Sequence, residues 1–224
     1  MAKLDTGKII EGSFRMLVEN KVILAVAIID AIVSAVFEFL LISSAFLLSV
    51  PLIIILGIAW ILVSRYLLGV AIAAVSGKMD LNDALAKAGS RYLPLLGTTI
   101  LSTIIIVLGF IALIIPGIYI MIRLALVSPA TVLENRSPVD SLKRSWAITA
   151  GNWWPIFWIF FAIGIVVAII RITFSIPSPV LGYLVDGFLA YVPVIASVLI
   201  LQRLGGSIPD LAALPKSLET ASNK

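Results

Sequence analysis

Long apolar runs alternate with short charged segments along the whole chain. The runs lie at about 22–44, 50–76, 92–114, 116–134, 152–173 and 181–203. Each is near the roughly 20 residues that a helix needs to cross a hydrocarbon core of about 30 Å. The third and fourth runs join into one stretch, broken only by Arg123 before Glu134 is reached. That stretch is too long for one crossing. Pro116-Gly117 sits inside it, and proline ends a helix or opens a new one. The pattern therefore predicts a reversal at Pro116 and Gly117, and six spans in three hairpins.

Six spans sort the basic residues onto one side. Lys3, Lys8, Arg15 and Lys21 precede the first span, and Lys78, Lys87 and Arg91 separate the second from the third. Arg136, Lys143 and Arg144 follow the fourth, and Arg203, Lys216 and Lys224 follow the sixth. These are thirteen of the sixteen Lys and Arg, and the opposite turns near 45–49, 115–117 and 174–180 hold none. The positive-inside bias then places both termini in the cytoplasm of a multi-pass cell-membrane protein. Residues 1–21 leave no apolar core for a cleavable signal, so the first span is expected to be its own insertion signal.

The segments on the basic side carry a second period. In 80–91, Leu81, Leu85 and Ala88 face one way and Asp83, Lys87 and Arg91 another, with Asp80 placed to cap. In 137–150, Ser137 can cap, Pro138 suits the first helical position, and Val139, Leu142, Trp146 and Ala150 form the apolar stripe. Residues 5–20 are a weaker copy, with Ile10, Phe14 and Leu17 opposite Lys8, Glu11, Arg15 and Glu19. The expected fold is all-α: a polytopic membrane helical bundle of three hairpins, each preceded by an amphipathic surface helix at about 5–20, 80–91 and 137–150. One membrane domain covers 1–203, and 204–224 reads as a flexible cytoplasmic tail. All three units enter from the same side, so the repeat is parallel. Lying on the lipid surface is the expected role of the amphipathic helices.

Composition agrees and narrows the chemistry. Of the 224 residues 61% are hydrophobic and 12% charged, whereas soluble domains are about half apolar and a quarter charged. Cys and His are both absent, which removes thiolate and imidazole metal sites, Cys nucleophiles and His bases. No phosphate-cradling Gly-Lys loop is present. No catalytic residue, cofactor or metal site is expected, and the net charge of +4 is too small and dispersed for nucleic acid.

RYLPLLG (91–97), GFIALIIPGIY (109–119), SPATVLEN (128–135) and SLKRSWAITAGNWW (141–154) resemble a prokaryotic family of small polytopic membrane proteins. That family is named for the membrane domain of membrane-anchored glycerophosphodiester phosphodiesterases. The resemblance covers about a third of the chain and implies a six-helix membrane domain. It carries no site residues, and the histidine-dependent catalytic barrel of those enzymes has no counterpart here.

Charges at membrane depth are costly and usually paired or functional. Matching by depth suggests Asp30 with Arg65, Glu38 with Arg123, and Arg171 with Asp186, as structural pairs or as the lining of a hydrated path. Thr98, Thr99, Ser102 and Thr103 form a hydroxyl stripe on the third span, expected to bond backbone carbonyls or a neighbouring helix. Two functions remain open. One is a non-enzymatic protein that binds or translocates a small solute or amphiphile. The other is an accessory scaffold that organises lipids or a larger complex. Expected partners are membrane lipids, with anionic headgroups at the cytoplasmic face, and either a second copy or a partner membrane protein.

Overall fold

The computed structural model describes residues 4–44, 50–76, 79–176 and 178–204. Among these there are ten helices and no strand. The tail from 205 and the turn at 45–49 lie outside the described residues. Five helical stretches are long and apolar enough to cross a membrane, as a multi-pass membrane protein requires. They are Val50–Val75, Leu81–Ala112, Ile114–Leu133, Trp153–Ser175 and Val180–Arg203.

α1 (Thr6–Glu19) starts at Asp5, whose carboxylate accepts from the Lys8 amide at 3.2 Å. It ends at Asn20, which also starts α2 (Lys21–Ser44). The Asn20 Oδ1 accepts from the amides of Val22 and Ile23 at 3.0 and 3.2 Å, and its Nδ2 donates to the Ala74 carbonyl at 3.3 Å. One side chain thus caps α2 and ties the corner to α3 (Val50–Val75), and the axis bends by 82°. Ile9, Gly12, Ser13 and Leu17 of α1 are buried. Its apolar face is therefore covered by protein, against the helices Trp153–Ser175 and Tyr191–Arg203, rather than turned to lipid.

α4 (Leu81–Ala112) is one continuous helix of 32 residues. The expected surface helix at 80–91 and the span from 92 are not separate. Pro94 removes one backbone bond, yet Ala84, Ala88, Leu95 and Thr98 are buried along one side and hold a single axis. Asp80 occupies the N-cap position without a side-chain bond. α3 and α4 pack closely where Gly69 faces Ala88 and Leu95. Tyr66 donates to the Leu85 carbonyl at 3.2 Å and Tyr92 to that of Leu62 at 2.9 Å.

The reversal comes at Leu113, three residues before the expected site. Leu113 is extended (φ −169°, ψ 157°) and α5 (Ile114–Arg123) starts at once. Pro116 and Gly117 fall inside the first turn of α5. Proline costs nothing there, because the first amides of a helix lack intrahelical acceptors anyway. Gly117 is needed for packing: a Cβ on it would lie 2.5 Å from the Phe110 ring, and one on Gly109 would lie 3.2 Å from the Gly117 Cα. The two helices fold back antiparallel.

α5 gives way at 124–126 to α6 (Val127–Leu133), so the expected span 116–134 is interrupted. α7 (Pro138–Thr149) has the expected cap, with the Asp140 amide donating to Ser137 Oγ at 3.2 Å. Its apolar stripe turns outward as expected, but the opposite, hydroxyl-bearing side meets protein and not water. Ser141, Ser145 and Thr149 are buried, while Val139 and Trp146 face outward. α8 (Trp153–Ser175) follows, then α9 (Pro179–Leu189) and α10 (Tyr191–Arg203), which divide the expected span 181–203 at Ala190. α2 and α9 meet most closely at Gly187, where an added Cβ would lie 2.5 Å from the Ala31 Cα.

Burial is lopsided. The core draws on Ile23 to Ala35 of α2, Leu67 to Val75 of α3, Ala84 to Leu95 of α4, and most of α6 and α10. No side chain between 50 and 63, or between 164 and 176, is buried among those described. Side chains are enclosed at the end holding Asn20 and Ala74, and largely exposed at the other.

Candidate functional site

A cleft of about 360 Å³ opens between α3, α4, the α5–α6 break, α8 and α10. Most of its wall is apolar: Leu68, Ile72, Ile106, Ile122, Phe160 and Val194 among others. Arg65, Ser128 and Ser197 supply the polar side chains. The Arg65 Nε is buried and has no hydrogen-bond partner among the described residues. Ser197 donates to the Val194 carbonyl of its own helix at 2.6 Å. Met121 is the exposed member of the lining.

Two helices are interrupted at this cleft. Leu124 and Ala125 belong to the α5–α6 break, and Pro193 follows the α9–α10 junction by three residues. Non-helical backbone at membrane depth is tolerated where protein buries it or where it lines a cavity. The α7 hydroxyl stripe meets the first condition. Ser145 Oγ donates to the Arg123 carbonyl at 2.7 Å and accepts from the Leu126 amide at 3.2 Å. Thr149 adds a bond to the Arg123 carbonyl at 3.3 Å, and Thr131 donates to Ser141 at 2.9 Å. The polar face of α7 thus replaces the bonds the break forfeits, which is why it turns inward.

Behind the cleft lies Asp30, 6% exposed. Its carboxylate accepts from Ser64 Oγ at 3.3 Å and lies near the Tyr191 hydroxyl. Arg65 is near enough to act on it electrostatically, but the two do not close an ion pair. Arg123 does not meet Glu38. Its Nη1 donates to the Trp146 carbonyl at 3.0 Å, and its guanidinium lies 4.7 Å from the Trp146 ring centroid and 5.3 Å from that of Tyr119. Glu38 is half-buried on α2, without an ion pair among the described residues. Only the third expected pair closes, with Arg171 Nε 2.9 Å from Asp186 Oδ2.

The hydroxyls of α4 mostly bond their own helix. Thr98 donates to the Pro94 carbonyl at 2.6 Å, Thr99 to that of Leu95 at 2.8 Å, and Ser102 to that of Thr98 at 2.6 Å. Thr98 also receives Thr131 at 3.3 Å, joining α4 to α6, while Thr103 is exposed.

A further polar centre escapes depth matching. The Glu134 side chain is 2% exposed and bridges Arg136 and Arg144, the latter at 3.1 Å. Arg91 donates to the carbonyls of Arg136 at 2.6 Å and Thr131 at 3.3 Å. Asn135 sits between with φ 53°, a left-handed turn that asparagine tolerates. In the sequence, Glu134 and Arg136 look like boundary charges free in water.

Residues 97–205 match a domain of unknown function (DUF7847). The matched stretch includes the α4–α5 reversal, the Arg123 cage and the cleft wall from Ile106 to Ser197, while Asp30 and Arg65 precede it. Nothing links it to the membrane domains of glycerophosphodiester phosphodiesterases. No curated protein and no solved structure matches the chain.

Proposed function

We propose that this is a six-span cell-membrane protein with both termini in the cytoplasm, and that its central cleft binds or passes a small solute or amphiphile without catalysing a reaction. In this reading α2 alone is the first span. Its 24 residues reach about 36 Å, and the 82° bend at Asn20 lays α1 across the bundle end. The observation that carries the functional part is the Arg65 guanidinium, which lines a largely apolar cleft and makes no hydrogen bond or ion pair among the described residues. The structural arginines differ: Arg91 fills its donors with carbonyls, and Arg123 bonds one carbonyl and rests against two aromatic rings. The cleft volume is at the small end of ligand pockets, which run from about 300 to 1,000 Å³.

Native mass spectrometry of the gently extracted protein tests this. The wild type should retain a small-molecule adduct that the cleft-filling variant Ser197→Phe loses. Equal bare masses, with a co-purifying subunit, would support the scaffold reading instead. That reading draws on the exposed charged face of α1, where Arg15 and Glu19 pair with each other at 2.7 Å.

A further inference from the structure

We propose that the occupant of this cleft is a singly charged anionic amphiphile with one acyl chain, its head on Arg65 and its chain along Ile106 and Phe160. The inference rests on the binding reading above and adds the sign of the charge and the form of the ligand.

Arg65 is the sole charged residue of the lining. A cation with an unfilled N–H in an apolar, partly dehydrated wall is costly until an anion meets it. The nearest acid does not serve, because the Asp30 carboxylate accepts from Ser64, closes no ion pair with Arg65 and does not line the cleft. An anionic oxygen from a ligand would complete a charge-assisted bond to the terminal guanidinium nitrogens, which donate to nothing among the described residues. The Ser128 hydroxyl, in the same lining and without a hydrogen bond among the described residues, is a second donor. No second cation lines the cleft, so a head with one negative charge fits better than a doubly charged one.

The rest of the wall suits a hydrocarbon chain. Ile72, Ile106, Ile122 and Phe160 present no polar group, and the exposed Met121 marks an opening for the chain to leave by. The volume of about 360 Å³ accommodates one chain more readily than two. A free carboxylate and a phosphate ester share this chemistry, and either could supply the head.

The test uses the full chain in nanodiscs of zwitterionic phosphatidylcholine, with radiolabelled palmitate, lysophosphatidylglycerol, hexadecanol and hexadecylamine as probes. Palmitate or lysophosphatidylglycerol should bind about ten- to a hundredfold more tightly than hexadecanol or hexadecylamine, and the stronger of the two identifies the head. Arg65→Gln should abolish the preference for the anion, and Arg65→Lys should keep part of it. Hexadecanol binding the wild type as tightly as both anions would overturn the proposal, and this comparison needs no variant. If Ser197→Phe then removes all binding, the cleft reading survives without its anion. If the wild type binds none of the probes, both fail.

Discussion

Arg123 and Trp146 are joined twice, the guanidinium bonding the Trp146 carbonyl at 3.0 Å while lying 4.7 Å from the centre of its indole ring. The pair locks the last turn of α5 to α7 just where the backbone leaves the helix. It also settles a buried charge without a carboxylate, because the ring face and the carbonyl together carry partial negative charge. Trp146→Leu keeps the carbonyl and removes the ring. We expect it to lower stability by about 1–2 kcal/mol in the wild type and by markedly less in an Arg123→Met background. Denaturant unfolding in micelles, followed by circular dichroism, measures both. Equal losses in the two backgrounds would mean that the indole acts through packing alone.

Gly187 should be intolerant of any side chain. A Cβ there would lie 2.5 Å from the Ala31 Cα and 3.0 Å from its amide nitrogen, so α2 and α9 would have to separate. Gly187→Ala is expected to cost about 1–3 kcal/mol, and Ala31→Gly should not rescue it because the obstruction is backbone. Gly164 has nothing within 4 Å of its added Cβ. Gly164→Ala should be neutral or stabilising by up to about 1 kcal/mol. Thermal unfolding of the four proteins separates close packing from helix propensity.

The main partner of Asp30 is expected to be a hydroxyl and not the arginine across the hairpin. A double-mutant cycle of Asp30→Ala with Tyr191→Phe should give a coupling of about 1–2 kcal/mol, larger than that of Asp30→Ala with Arg65→Gln. The reverse order would show that charge attraction governs the site.

The six-span topology can be read by thiol labelling, because the chain has no cysteine to confuse it. Ile115 is 81% exposed beside the reversal, and Lys143 is exposed on α7. Ile115→Cys should react with an impermeant maleimide on intact cells, and Lys143→Cys only after permeabilisation. Reaction of both from outside would rule out the α4–α5 hairpin as a pair of crossings.

Much of this architecture was legible in the order of residues. Apolar length marks the spanning helices, and Ser137-Pro138-Val139-Asp140 states its own cap, because capping depends on neighbours three residues apart. What was hidden depends on partners far along the chain. Depth matching assigned Arg123 an acid because it considers only charges, whereas its partners are an indole and a carbonyl in α7. The apolar stripe of α7 faces outward as its pattern implies, but the burial of its opposite side was not legible. Ordinary amphipathic logic assumes water on the polar side, and here the polar side faces broken backbone at 124–126. Pro116-Gly117 signalled a reversal nearby yet misplaced it, since proline is as comfortable in a first turn as before one. The cleft was not legible at all: Arg65, Ser128 and Ser197 come from three separate helices, and no local spacing joins them.

The exposed end of the bundle has a practical side. Residues 50–63 and 164–176 hold no buried side chain, and beyond a few contacts such as Trp60 with Phe37 and Ser34, and Arg171 with Asp186, their order rests on hydrogen bonds within each helix. Such bonds persist where the surroundings cannot compete for amides and carbonyls, and they weaken where water enters. That half of the molecule therefore borrows its shape from the solvent. During purification, the choice of detergent will decide whether it survives more than any single side chain will.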